Sequence, residues 1–133
     1  MKKLLRHTLC LAIVLLTTAG LTSCEDEHDL WMRDNIVGTW QIYDVRSYDY
    51  NVPYRTGDFM EFFYDGTYRG YGRNGFDEYG DWDVTDNIIS FDFNHDYRTD
   101  MAARVDDIGY SYMDLDVTDY KNRSHYYLRL RRY

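Results

Sequence analysis

Three features of the chain predict an all-β fold, a small antiparallel up-and-down β-barrel of about eight strands. From residue 36 onward Val, Ile, Tyr, Phe, Trp and Thr are dense, and turn residues recur at the roughly 8–12-residue spacing of a sandwich or barrel. Apolar and polar residues alternate within the runs, which marks strands with one buried and one wet face. Asp65-Gly66 and Asn74-Gly75 supply the tight-turn pairs that join neighbouring strands.

Residues 1–23 precede this region and differ from it. Lys2, Lys3 and Arg6 form a basic start, and Leu9 to Leu16 is an unbroken apolar run. The run is shorter than the roughly 20 apolar residues of a membrane span, and the order is that of a secretory signal. Leu21-Thr22-Ser23-Cys24 follows and resembles the lipobox of bacterial lipoproteins. That resemblance implies a signal peptide over 1–23 and a lipidated Cys24 at the head of the mature chain. Glu25-Asp26-Glu27-His28-Asp29 comes next, a run of like charge expected to be a solvated tether over 24–35. Acidic residues directly after the lipidated Cys also resemble the export signal of Bacteroidetes-type surface lipoproteins. They imply an outer membrane lipoprotein of the cell envelope, exposed at the surface.

Charge and cysteine use narrow the partners. The whole chain has 15 basic and 23 acidic residues, and three of the basic ones fall in 1–23. The remainder carries a net charge of −11 with His neutral, from 12 basic and 23 acidic residues. Nucleic acid is excluded as a partner, because phosphate binding needs clustered Lys and Arg. Adhesion to an anionic membrane by charge is excluded for the same reason, which leaves the lipid on Cys24 as the membrane attachment. Cys10 lies in the signal and Cys24 carries the lipid, so no pair remains for a disulfide. The domain over 36–133 must stand on packing.

The elements are read in order. Leu30 to Asn35 is expected to hold a short turn of helix or a plug, with Trp31 and Met32 as its apolar contact. The first strand is Ile36 to Arg46, followed by a polar loop, Ser47 to Gly57, that holds the one proline, Pro53. Asp58 to Tyr64 and Thr67 to Arg73 form the first hairpin. Gly70, Gly72 and Gly75 leave the third strand few side chains to pack. Asp77 to Val84 places Trp82 and Val84 on one face and Asp81 and Asp83 on the other. Ile88 to Phe93 does the same with Ile89, Phe91 and Phe93 against Ser90 and Asp92. After a loop, Asn94 to Thr99, come Asp100 to Asp106, Tyr110 to Val117 and His125 to Arg132. In the last two, Met113, Leu115 and Val117 and then Leu128 and Leu130 face inward. Asp114, Asp116, Arg129 and Arg131 face outward, where oppositely charged pairs meet across the hairpin at about 0.2–1 kcal/mol each. Closing such a meander removes its exposed edges.

Three local signatures point to a family. Gly38-Thr39-Trp40 lies in the first strand, Phe62-Phe63-Tyr64-Asp65-Gly66-Thr67-Tyr68 forms the first hairpin, and Gly80-Asp81-Trp82 opens a later strand. In this order and spacing they resemble the lipocalin-like, calycin-type domains of bacterial surface lipoproteins. The resemblance covers Ile36 to Tyr133. It implies that Trp40 packs inside the closed end of the barrel, where Gly38 lets another chain approach, and that Trp82 is structural. It also implies a basic residue of the last strand over Trp40. The candidate is Arg131 or Arg132, and we take Arg131. The chain is shorter than a typical lipocalin and shows no long C-terminal helix, which puts a roomy carrier cavity in doubt.

No catalytic constellation emerges, and no enzyme is expected. Asp92-Phe93-Asn94-His95-Asp96 begins like a calcium loop, but Tyr97 stands where the loop needs Gly and Ala103 where it needs Glu. His28, His95 and His125 show no zinc spacing, so no metal and no cofactor are expected. The compositional oddity is 15 Tyr against six Phe. Tyr is favoured at recognition surfaces, and it is also a good strand former at half-buried positions. A ligand site, if one exists, is expected near Tyr48, Tyr50 and Tyr54, beside the open end of the barrel. The leading function is non-enzymatic binding of a small or extended ligand at the barrel mouth. The alternative is a protein-interaction or structural module with a filled barrel and a Tyr-rich contact face. The partner is then a small molecule, a glycan or a protein. A third, weaker class is an envelope hydrolase or inhibitor accessory.

Overall fold

A computed structural model describes residues 26–133. The signal peptide expected over 1–23 and the expected lipidation residue Cys24 lie outside the described residues. The chain folds into a closed eight-stranded antiparallel barrel in which every strand pairs with its sequence neighbours and the last with the first. Among the described residues, one short helix stands before it. The strands are β1 (Gly38–Arg46), β2 (Phe59–Phe62), β3 (Thr67–Tyr71), β4 (Asp77–Thr85), β5 (Ile88–Asp92), β6 (Met101–Ile108), β7 (Tyr112–Asp119) and β8 (Ser124–Arg132).

The expected alternation is realised strand by strand. Trp40 and Ile42 of β1, Met60 and Phe62 of β2, Trp82 and Val84 of β4, and Ile89 and Phe91 of β5 point inward. So do Met101, Ala103 and Val105 of β6, Met113, Leu115 and Val117 of β7, and Leu128 and Leu130 of β8. Each large apolar side chain buried in this way contributes about 1.5–3 kcal/mol. Asp65-Gly66 makes the turn between β2 and β3, with Gly66 at φ 88° and the Thr67 N–H donating to Asp65 Oδ1 at 3.0 Å. Asn74 and Gly75 both take positive φ, in a 3-10 turn that links β3 to β4. Asp114 lies directly opposite Arg129, as the charge pattern predicts, at 3.6 Å. Asp116 instead faces Tyr127, and its partners are Arg104 at 2.7 Å and His125 at 2.5 Å.

Two expectations are corrected at the N-terminal side. The acidic segment expected as a tether becomes helix α1 (Glu27–Ile36) from its third residue on. Asp26 caps it by accepting the His28 N–H at 3.1 Å, and Glu27 and Asp29 suit the positive end of the helix dipole. Its buried contacts are Met32 and Ile36, one helical turn apart, whereas Trp31 is half exposed. Ile36 therefore ends the helix and does not start β1.

Helix α1 closes one end of the barrel. The Asp86 N–H donates to Asp29 Oδ1 at 3.1 Å, and the Tyr64 hydroxyl donates to Asp34 at 3.2 Å. Arg33 pairs with Asp83 and lies 5.4 Å from the Trp82 ring. The opposite end is formed by the β1–β2, β3–β4, β5–β6 and β7–β8 loops.

Candidate functional site

At the closed end, Trp40 is fully buried and its indole N–H donates to the Ile36 carbonyl at 2.8 Å. The basic residue over its ring is Arg132, at 4.2 Å. Arg131 was expected there and lies instead over Tyr43, at 4.3 Å. Strand parity is the reason: Arg132 shares the inward face with Leu128 and Leu130, while Arg131 faces out. Arg132 also donates to the carbonyls of Asn35 at 2.6 Å and Val37 at 3.0 Å. Gly38 makes this possible. A Cβ there would sit 2.7 Å from an Arg132 nitrogen, and its φ of 133° is one that other residues rarely adopt. Trp82 is buried and donates to the Phe63 carbonyl at 3.0 Å.

At the open end the three tyrosines proposed from the sequence do not converge. Tyr48 and Tyr50 are fully exposed, while Tyr54 is only 2% exposed and drops into the barrel. Its hydroxyl meets the Tyr68 hydroxyl at 2.5 Å and lies 3.4 Å from Glu78 Oε1. Gly70 leaves room for this pair, because a Cβ there would meet the two hydroxyls at 2.7 and 3.0 Å. Phe76 packs edge-on against Tyr54, with ring centroids 5.2 Å apart. Glu78 in turn accepts from Lys121 Nζ at 3.0 Å, which ties β4 to the β7–β8 loop across the mouth. Nearby, Tyr126 donates to the buried Asp119 at 2.9 Å.

The interior below the mouth is occupied by rings that reach each other across it. Phe62 of β2 and Phe91 of β5 have centroids 5.9 Å apart, and Tyr68 meets Phe91 edge-on at 4.8 Å. Burial pushes the hydroxyls of Tyr54, Tyr68 and Tyr126 well above the ordinary tyrosine range. Glu78 adds to this for Tyr54 and Tyr68, and Asp119 adds to it for Tyr126. These hydroxyls are neutral hydrogen-bonding groups that hold the loop in place.

Two hollows lie on the outside of the wall. One, of about 520 Å³, runs along β4 and β5 under the Asn94–Thr99 loop. His95 stands at its edge with Nδ1 2.8 Å from Asp81 Oδ2, and this hydrogen bond and the Asp81 charge raise the imidazole above its usual value. Asp92, Asp96 and Asp100 bring carboxylate oxygens within 4.8 Å of one another beside it. Asp92 already accepts the N–H groups of Asn94 at 3.1 Å and Tyr97 at 2.8 Å, and Asp100 accepts that of Phe93 at 2.8 Å. These carboxylates shape the loop.

The second hollow, of about 690 Å³, crosses the outer faces of β7, β8 and β1. Two register slips flank it, in β1 between Ile42 and Asp44 and in β6 between Val105 and Asp107. Bulges bend a strand and re-aim its side chains, and these two lie on either side of the groove. The sequence carries the signal as a break in alternation: Ile42 and Val45, like Val105 and Ile108, are three positions apart and not two.

No family model and no curated protein matches the chain. Among solved structures it is similar to an uncharacterized protein from Bacteroides eggerthii, at 18% identity and a TM-score of 0.50. The match covers 73% of this chain and 98% of that one. At that identity the likeness concerns the barrel fold.

Proposed function

We propose that this chain is a lipid-anchored lipoprotein of the bacterial cell envelope, a lipocalin-like barrel that is filled by its own side chains and binds without catalysis through its outer face. The observation that carries the reading is Tyr54. It is buried in the mouth, bonded to Tyr68 and strapped over by the Lys121–Glu78 pair. A barrel of this strand number is filled by side chains or holds one small ligand, and here aromatic rings occupy the axis. Of the tyrosines near which a mouth site is expected, Tyr48 and Tyr50 are fully exposed and Tyr54 is buried, which favours the filled barrel. The anchor rests on Leu21-Thr22-Ser23-Cys24 and the acidic residues after it.

Native mass spectrometry of the chain as its host processes it tests both parts. The expected species starts at Cys24, carries acyl groups, and holds no further guest. A small apolar guest released only on activation would overturn the filled barrel. An intact N-terminus without acyl groups would overturn the anchor.

A further inference from the structure

We infer that the groove across β7, β8 and β1 is a binding site for a neutral, polyhydroxylated ligand, a carbohydrate chain. The inference rests on the outer-face reading above and names where and what that face binds.

Charge selects the ligand class. The mature chain is strongly acidic, yet the groove is balanced. Asp44 pairs with Arg46 at 3.1 Å, Asp106 with Arg104 at 2.8 Å, and Asp114 with Arg129 at 3.6 Å. Each of these carboxylates contacts a guanidinium, Arg104 being shared with Asp116, so a free cation or anion would have to displace a partner. A hydroxyl fits without displacement, since it donates to a carboxylate and accepts from a guanidinium at once. One acceptor is available for it: Asp114 Oδ1 is buried and makes no hydrogen bond, Arg129 Nε lying 3.6 Å from it, beyond hydrogen-bonding reach. A ligand O–H would supply the hydrogen bond that this oxygen lacks.

Shape and apolar surface agree. The volume lies in the roughly 300–1,000 Å³ range of ligand sites. Tyr127, about half exposed, projects from β8 with its ring held edge-on to His125 at a centroid distance of 5.0 Å. Tyr48 stands fully exposed at the upper end of the groove. Together they offer ring faces for the C–H faces of a sugar, with phenolic hydroxyls free for its polar edge. The groove is open along its length, which suits a chain of sugars better than a single one.

The test is hydrogen-exchange mass spectrometry of the host-processed chain in a detergent without a sugar headgroup. The probes are neutral hexasaccharides of glucose, xylose and mannose, with oligogalacturonate and a chitosan hexamer as charged comparators. At least one neutral probe is expected to protect residues 44–48, 112–116 and 125–129 together. Tyr127→Ala and Asp114→Asn should each weaken that binding by about tenfold or more, the size of one good contact. Tyr127→Phe, which keeps the ring and loses only the hydroxyl, should weaken it less than Tyr127→Ala, and Tyr97→Ala, in the other hollow, should leave it unchanged. Protection by the charged probes alone, or by no probe, would overturn the inference. Protection that falls on peptides of the inward core, around Trp40 and Tyr68, would overturn the filled-barrel reading as well.

Discussion

Trp40 and Arg132 face each other directly across the β1–β8 seam that closes the barrel, and the guanidinium lies 4.2 Å from the indole centroid. The same guanidinium ties off two carbonyls where the chain leaves helix α1 for β1. One side chain thus joins the last strand, the first strand and the helix that plugs the end. Arg132→Ala should destabilise by about 2–4 kcal/mol, from a cation–π contact and charge-assisted hydrogen bonds lost together. Arg132→Lys should recover less than half, because an ammonium cannot stack and reach both carbonyls at once. Trp40→Ala should cost about 3–5 kcal/mol. Arg131→Ala should stay within about 1 kcal/mol. Urea unfolding midpoints at constant slope measure all four.

The mouth makes a second prediction. Tyr54→Phe keeps the ring and removes one hydroxyl of a buried pair, which leaves Tyr68 short of a partner. It should cost about 1–2 kcal/mol. Gly70→Ala drives a methyl into both hydroxyls and should cost about 1–3 kcal/mol. It should also raise hydrogen exchange in residues 51–58, since the loop loses its seat. Equal exchange in Gly70→Ala and the parent would contradict the plug.

The acidity of the wall gives a pH dependence with a definite sign. Asp81 raises the folded-state value of His95 above its ordinary one. The contribution is therefore complete below about pH 6.5 and is lost as pH rises through the raised folded value. Asp65 and Asp77 run the other way. Hydrogen bonds from Thr67 and Arg69 hold them below the usual carboxylate range. Their contribution is present above about pH 3.9 and is lost as pH falls through the lowered value. His95→Gln should flatten the decline on the neutral side and leave the acid limb unchanged. Melting temperatures from about pH 3 to about pH 9, which span the ordinary values of both kinds of group, decide it.

Cys24 governs attachment in the proposed reading. Cys24→Ser should move the protein from the membrane to the soluble fraction, since the net charge after residue 23 gives no electrostatic hold on an anionic surface. Unchanged membrane fractionation would refute the anchor.

Much of the barrel is legible in the sequence because each inward strand residue sits two positions from the next. Val117, Leu115 and Met113, or Leu130 and Leu128, need no tertiary information. Asp65-Gly66 fixes its hairpin for the same local reason. Helix α1 is harder to read: only Met32 and Ile36 are buried, too few to write an amphipathic stripe over an acidic run. Arg132 was within reach, because strand parity alone puts it on the Leu130 face. Tyr54 was not, since a tyrosine in a polar loop says nothing of folding back into the barrel until Gly70 is placed opposite. The outer groove follows from two slips of alternation whose meeting on one side of the wall only closure reveals.

The central claim is that tyrosine hydroxyls seal a filled barrel. A spectrophotometric titration of the 15 tyrosines tests it most directly. The ordinary tyrosine value is about 10. Tyr54, Tyr68 and Tyr126 should stay silent until the protein unfolds, with stability falling as pH climbs past that value. Reversible ionisation of all 15 in the folded protein would mean an open, wet mouth, and would contradict the account.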